Sequence, residues 1–375
     1  MKLPLLREIR FRLNRGWVFL GLLCLFVLPV VFPTFLWARE PVPFSHLYQD
    51  GYVLLIWNER VSDSEIESTF LRLKAAGAQH LTLPFFGCQT NLKSTDVGSC
   101  QVRSIEFSIH LAERAIANGF RVSLLPILVT QDWEWRGFFE PHDVKAWFLS
   151  YTRWILEIAK EAERLGTEEF VVGSEFSRLN RYEQQWESVV RAVRNVFKGP
   201  LILTVNWDEP ERGFWDSVDA IGVSAYFPLS ERVNPTQEEL DSAWLKRRES
   251  LTRLSQRWQR PLYFTELGYF NASSAARTPW APHPGDLRDE DLQARCFKAF
   301  KKAWGDVREL ARFSVWSVHP EGAGFYGDPG LSGPRFVSEI LPSITDNPLG
   351  NPAEKILREL FLKRLNLLPL RQQGG

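Results

Sequence analysis

Two glutamates in this sequence stand where they could do chemistry. Glu175 closes the run Val171-Val172-Gly173-Ser174, and Glu266 closes Leu262-Tyr263-Phe264-Thr265. Each run is apolar and β-prone, and each stops abruptly on a carboxylate. In a (β/α)8 barrel the C-terminal ends of the strands carry the reacting groups. Two carboxylates delivered there from different strands are the minimum equipment for cleaving a glycosidic bond. One protonates the leaving oxygen and the other attacks the anomeric carbon, and a retaining reaction sets them roughly 5–5.5 Å apart. Their surroundings must push their pKa values apart. Either glutamate alone reads equally well as a solvated residue opening a loop; the pair, in strand order, points to chemistry.

The elements that must position this pair follow from hydrophobic patterning. Strand-like runs fall at Tyr52–Trp57, Gln79–Phe85, Phe120–Ile127, Glu169–Ser174, Leu201–Val205, Ala220–Ser224, Leu262–Thr265 and Arg312–Ser317. Helix-like segments fall between them at Ser62–Ala76, Ile105–Asn118, Asp143–Leu165, Tyr182–Phe197, Gln237–Arg257 and Asp289–Lys302. Strands 5 and 6 are joined by a short connection holding Phe214 and Trp215, and a closing helix is expected over Pro334–Ile344. Eight such repeats with continuously apolar strands predict an α/β fold, a (β/α)8 TIM barrel buried on both faces of its sheet. Glu175 then ends strand 4 and Glu266 ends strand 7, facing each other across the mouth.

Strand ends supply further candidates. Tyr226, just past strand 6, is placed to hydrogen-bond Glu266 and hold it oriented. Trp316, near the end of strand 8, is placed to floor the sugar at the cleavage point. Asn206 and Trp207 after strand 5, and Trp133, Trp135 and Arg136 after strand 3, are candidates for hydroxyl and ring-face contacts. Packing or a structural ion pair explains each of these positions as well. Fifteen tryptophans among 375 residues are an excess that suits both a core and sugar-stacking platforms.

Lys+Arg and Asp+Glu balance at 45 each, so no net field draws in nucleic acid. Metal chemistry has no visible ligand set: the six histidines form no HExxH and the four cysteines no CxxC, and no cofactor is expected. Cys88 and Cys100 bracket a polar loop and form a plausible disulfide, with Cys296 left over and buried on a helix. The N-terminus has a basic flank (Lys2, Arg7, Arg10, Arg12, Arg15) and then an uncharged run from Gly16 to Trp37. That run is long enough for a bilayer core of about 30 Å, with the flank cytoplasmic. The expected organisation is therefore a flank and transmembrane signal anchor over 1–37, a linker over 38–50, a catalytic barrel over 51–345, and over 346–375 an amphipathic helix and tail, whose Leu357, Leu360, Phe361 and Leu365 face is expected to pack on the barrel exterior. The lipid bilayer is the expected partner of the anchor, placing the body on the periplasmic or extracytoplasmic side of the cell (inner) membrane. Cleavage as a signal peptide is the rival reading, although Phe35-Leu36-Trp37-Ala38-Arg39 makes a poor site.

The strand-4 and strand-7 glutamates resemble those of the retaining (β/α)8 glycoside hydrolases of clan A. Within that clan the sequence is most similar to glycoside hydrolase family 113, the β-mannanase-like barrels, from about Gly51 to about Ser317. The pieces that carry the resemblance are Trp135-Arg136-Gly137, Trp147-Phe148-Leu149-Ser150-Tyr151-Thr152, Gly173-Ser174-Glu175, Ala225-Tyr226-Phe227-Pro228 and Thr265-Glu266-Leu267-Gly268-Tyr269. The resemblance implies that Glu175 is the general acid/base and Glu266 the nucleophile. Much of the clan places Asn before the acid/base to bind the substrate 2-hydroxyl; here that substrate-binding position is Ser174, whose shorter hydroxyl changes the contact and leaves the sugar open. The implied activity is retaining hydrolysis of a β-linked polysaccharide or oligosaccharide, mannan-like or a self-made exopolysaccharide. A transglycosylase using the same carboxylates, or a catalytically inactive glycan-binding barrel, remains an alternative. Oligomeric state is not legible.

Overall fold

The computed structural model describes residues 47–56, 59, 61–99, 104–320 and 344–367. Eight parallel strands close into a barrel: β1 (Gly51–Leu54), β2 (His80–Gln89), β3 (Arg121–Thr130), β4 (Glu169–Ser174), β5 (Leu201–Asn206), β6 (Ala220–Ser224), β7 (Leu262–Leu267) and β8 (Leu310–Val318). Pairing of β1 with both β2 and β8 seals the ring. A two-residue strand, Gly98–Ser99, returns antiparallel onto the end of β2. The (β/α)8 expectation holds, and the strands are buried along nearly their whole length.

The outer helices are α1 (Asp63–Ala75), α2 (Ile105–Ala117), α3 (Val144–Leu165), α4 (Glu183–Val196), α5 (Gln237–Trp258), α6 (Glu290–Trp304) and α7 (Pro352–Leu365). Their starts are written in the sequence. Ser62 with Glu65 and Thr236 with Glu239 form capping boxes, and Asp143 and Asp289 cap α3 and α6 by accepting from backbone N–H groups. α3 stops at Gly166, whose φ of 66° suits glycine. Two 3-10 turns, Pro210–Arg212 and Trp215–Ser217, replace a helix between β5 and β6.

The C-terminal amphipathic stretch packs on the barrel exterior, where Pro352–Leu365 joins the outer ring of helices. Phe361 packs edge-on against Tyr52 of β1 and tilted against Phe313 of β8. Arg364 is fully buried, pairs with Asp50 at 2.6 Å and donates to the Leu310 carbonyl at 2.7 Å. The same ion pair draws the end of the expected linker into the fold, because Asp50 also accepts from the Phe313 N–H. The expected closing helix falls mainly on residues 334–343, which lie outside the described residues, as do the anchor over 1–37 and Cys24. Among the described residues no helix is long and apolar enough to cross a membrane.

The barrel interior is layered. An apolar layer holds Leu125, Val171, Ile202 and Ala220. Toward the N-terminal ends of the strands sits a buried polar cluster around Glu169. Its carboxylate pairs with Arg312 at 2.5 Å and accepts from Tyr263 at 2.5 Å and from Ser123, with His80 at 3.2 Å. Burial opposes ionisation of Glu169, but Arg312 and the surrounding donors outweigh it and hold the acid at about 2. Burial and the Arg312 charge push His80 down to about 4, so it is neutral.

Candidate active site

At the opposite, C-terminal end of the strands a cleft of about 710 Å³ opens between the loops. It brings together Glu175, Glu266, Tyr226, Trp316, Asn206, Trp207, Trp133, Trp135 and Arg136. Side chains from β3, β4, β5, β6, β7 and β8 or their loops thus meet in one place.

Glu175 reaches the cleft through an unusual backbone. Its φ is 58°, the left-handed region that costs a non-glycine residue about 1–2 kcal/mol. Its N–H donates to the Thr204 carbonyl at 2.9 Å, and a register shift between Val171 and Gly173 accompanies the turn. Glu266 lies inside β7, one residue earlier relative to the strand end than sequence patterning predicts. Register shifts on both sides of β7 turn it into the barrel mouth.

Arg136 ties the two carboxylates together. Its Nη2 lies 2.9 Å from Glu175 Oε2 and 3.7 Å from Glu266 Oε1, and its Nε donates to the Ser174 carbonyl at 3.1 Å. Trp135 Nε1 donates to Glu175 Oε2 at 3.1 Å. The Trp-Arg-Gly motif has a packing reason: a Cβ on Gly137 would come within 2.4 Å of the Trp135 ring. Tyr226 donates its hydroxyl to Glu266 Oε2 at 3.0 Å. Burial and the two glutamates push the Tyr226 phenol well above its ordinary range, so it stays a donor. Gly268 is required where β7 ends, because a Cβ there would meet the Trp316 carbonyl at 2.7 Å.

The electrostatics fit a shared proton. Burial pushes Glu266 up to about 8, the Glu175 charge adds to this, and Arg136 and Tyr226 oppose it. Two carboxylates with one arginine between them cannot both ionise cheaply, so the pair retains a proton at neutral pH. Glu266 Oε1 is buried without a hydrogen-bond partner, an acceptor left open toward the cleft.

Ser174 is placed elsewhere. It is fully buried, does not line the cleft, and its Oγ has no hydrogen-bond partner. The turn at Glu175 that exposes the acid leaves its predecessor beneath the floor. Cys88 is disulfide-bonded, and Cys100 lies outside the described residues. Cys296 is free and buried on α6. Sequence patterning missed Trp280, which lines the cleft from the loop after β7 and stacks on Trp207 with ring centroids 5.5 Å apart. It has no periodic context; its position in the Pro-flanked Thr278-Pro279-Trp280-Ala281-Pro282 after a catalytic strand was the available signal. Glu134 and Asp208 on the cleft rim were missed too.

The Trp147–Thr152 motif acts at one remove. Trp147 stacks on Tyr151 at 5.0 Å, and Tyr151 donates to the Val172 carbonyl at 2.8 Å, three residues before Glu175. The tryptophan excess therefore divides: Trp147, Trp186, Trp215, Trp244 and Trp304 are core, whereas Trp133, Trp135, Trp207, Trp280 and Trp316 face the cleft.

Comparison with known proteins supports the same architecture. The β-mannanase of Alicyclobacillus acidocaldarius, solved in complex with ManMIm, superposes with a TM-score of 0.71 at 24% identity, covering 85% of this chain and 98% of that one. A family 113 β-1,4-mannanase complex gives 0.70 at 19% identity, over 85% and 99% of the chains. The Faecalibacterium prausnitzii β-glucuronidase gives 0.55 at 10% identity, over 84% of this chain and 49% of that one. At these identities the superpositions establish the barrel. No curated protein sequence matches the chain. The sequence profile of Glycoside Hydrolase Family 113 matches residues 55–321, and that span contains every cleft residue named above. The chain belongs to glycoside hydrolase family 113.

Proposed function

We propose that this glycoside hydrolase cleaves a β-linked polysaccharide or oligosaccharide with retention of configuration, Glu266 acting as nucleophile and Glu175 as general acid/base. The observation that carries this reading is the carboxylate pair bridged by one arginine. The Glu175 and Glu266 oxygens lie no further apart than the two Arg136 contacts of 2.9 and 3.7 Å taken end to end. That bound admits the retaining separation of roughly 5–5.5 Å and only touches the lower edge of the inverting range of roughly 6.5–9.5 Å.

In the first step a Glu266 oxygen bonds to the anomeric carbon as the glycosidic C–O bond breaks. The proton of the pair passes from Glu175 to the leaving oxygen. In the second, water attacks the same carbon, gives its proton to Glu175 and releases Glu266. In the empty site the proton rests with the more deeply buried Glu266. Positive charge growing on the sugar favours ionised Glu266, and the proton of the pair moves to the leaving oxygen by way of Glu175. Arg136 and Tyr226 hold Glu266 in place, and Trp316 lies beneath the ring.

The β-mannanase neighbours make mannan the first substrate to try, with a self-made exopolysaccharide the second. The uncharged Gly16–Trp37 run behind a basic flank supports a single-pass anchor in the cell (inner) membrane with the barrel on the extracytoplasmic side. The test is sugar release by the full chain on β-mannans, β-glucans and glycans from the producing cell, beside Glu175→Ala and Glu266→Ala. Activity that falls by orders of magnitude in both variants supports the mechanism. Activity that survives loss of Glu266 removes it, and inactivity on every cell-derived glycan removes the exopolysaccharide reading. Protease protection in intact and opened cells tests the orientation.

A further inference from the structure

The cleft of about 710 Å³ takes in more than the carboxylate pair, and its lining carries a feature the two-step reaction does not use. Trp207 and Trp280 stack nearly parallel, 5.5 Å apart with an interplanar angle of 15°. They come from different places: Trp207 follows β5, and Trp280 lies on the loop between β7 and α6. Both line the catalytic cavity. Phe227 meets Trp207 edge-on at 6.3 Å and backs it from beneath the rim.

Trp280 is 46% exposed, a large apolar ring left open to water where it lines the cleft. A lone exposed aromatic is unremarkable. This one is held in place by a built loop. The Asp286 carboxylate accepts from Ser273 Oγ at 2.9 Å, from Ser274 Oγ at 2.6 Å and from the His283 N–H at 2.6 Å. The loop base is closed by the bridge between Ala272 and Arg288. A ring fixed before ligand arrives loses little entropy on binding.

The location sets what the pair would do. Asn206, Ser224 and Glu266 stand side by side on neighbouring strands β5, β6 and β7. Trp207 is thus one residue beyond the row that contains Glu266, and Trp280 lies outward of it. Trp133 and Trp135 hang from the end of β3, four strands away from β7 around the ring. β5 lies two strand spacings, roughly 10 Å, from β7, so a chain seated at Glu175 and Glu266 would meet Trp207 and then Trp280 beyond the sugars that flank the bond being cut. The charge of the cleft narrows the sugar. Among the described lining residues Arg136 is the single cation, and it is already committed to Glu175, Glu266 and the Ser174 carbonyl. Glu134 and Asp208 add negative charge at the rim. A uronate would meet repulsion from these carboxylates, with no uncommitted cation among the described lining residues.

We infer that Trp207 and Trp280 form a distal subsite that stacks an uncharged pyranose of the substrate chain, making the enzyme selective for long chains over short ones. This rests on the proposed function for the reacting bond and adds where the rest of the chain lies.

The test is a ratio. kcat/KM of the full-length enzyme is measured on β-1,4-linked mannohexaose and mannotriose, with the matching cello-oligosaccharides in parallel. In Trp280→Leu, which keeps bulk but loses the flat ring, the six-sugar over three-sugar ratio is expected to fall about tenfold, the loss of one stacking contact. Trp280→Phe, which keeps a smaller ring, is expected to recover most of it. An unchanged ratio in Trp280→Leu overturns the inference, as does an equal fall on both lengths, which would make Trp280 a structural prop. If the parent cleaves none of these sugars, the proposed function fails on them separately. The affinity of the hexaoses, followed by calorimetry, then reads the subsite: binding about tenfold weaker in Trp280→Leu supports it, and unchanged affinity overturns it.

Discussion

Two glutamates inside this barrel are equally buried and titrate in opposite directions. Glu169, near the N-terminal end of the strands, is held at about 2, and Glu266, at the C-terminal end, is pushed up to about 8. Burial disfavours the charge of both, so burial does not separate them. Partners do. Glu169 has Arg312 in direct contact, with donors from Tyr263 and Ser123 on the same carboxylate. Glu266 shares Arg136 with a second carboxylate, and its Oε1, 3.7 Å from that arginine, accepts no hydrogen bond. A fully satisfied buried ion is structure, whereas an under-satisfied one is poised to react.

The largest effect expected from breaking this contrast is at the mouth. Glu175→Gln is expected to lower hydrolysis by roughly 10²–10⁴-fold, since it removes the general acid and base while leaving the fold intact. The same variant deletes the neighbouring charge that raises Glu266. A carboxyl titration followed by NMR is therefore expected to show Glu266 moving back toward the ordinary range. A Glu266 that does not move would mean that burial alone sets its value.

At the other end, Arg312→Met is expected to cost about 3–5 kcal/mol of stability by stranding Glu169 without its counter-ion. Denaturant midpoints read this directly, and a loss below 1 kcal/mol would dissolve the distinction between the two ends.

Stability against pH sharpens the comparison further, because the two signs differ. Glu169 titrates lower folded than unfolded, so its contribution is full above its ordinary 4.5 and is lost as pH falls toward 2. His80 is depressed too, from 6.5 to about 4, and its contribution is lost on acidification across that window. Glu266 is raised, so its contribution is present below 4.5 and lost as pH rises through about 8. Glu266→Gln should therefore stabilise the inactive protein near neutral pH, by about 1–3 kcal/mol, whereas Glu169→Gln should destabilise it. Melting temperatures of both variants from pH 4 to 8 check the opposition, and destabilisation by Glu266→Gln would refute it.

The smallest effect is expected from Tyr226→Phe. It removes one hydrogen bond to Glu266, so kcat should fall roughly 10-fold while folding is spared. The loss of a donor to Glu266 should also shift the basic limb or acidic limb of the rate profile, which a purely steric role would leave alone.

Much of this arrangement was legible before the fold was known, and particular residues show why. Glu175 and Glu266 stand out because apolar β-runs seldom stop on a carboxylate, and strand count alone placed them on β4 and β7. Tyr226, Arg136 and the cleft tryptophans followed from the rule that barrel strands present function at their C-terminal ends. Ser174 shows the limit of that rule. Adjacent residues at a strand end were both read as facing substrate, but the positive φ at Glu175 and the register shift in β4 send one upward and bury the other. Trp280 was missed because a loop has no period to read. The amphipathic stripe of α7 was enough to place it on the barrel exterior but not to name its docking partner; only the fold brings Arg364 to Asp50, across 314 positions of chain.

The sequence by itself determined the repeat of strands and helices, the caps that start the helices, and the two carboxylates that end their strands, because these are local patterns of side-chain chemistry and period. Tertiary structure decided which acid is satisfied and which is poised, since that depends on how many charges share one cation. It also decided that Trp207 and Trp280 meet. Contacts between residues far apart in the chain are set by barrel closure and loop packing, and no local pattern encodes them.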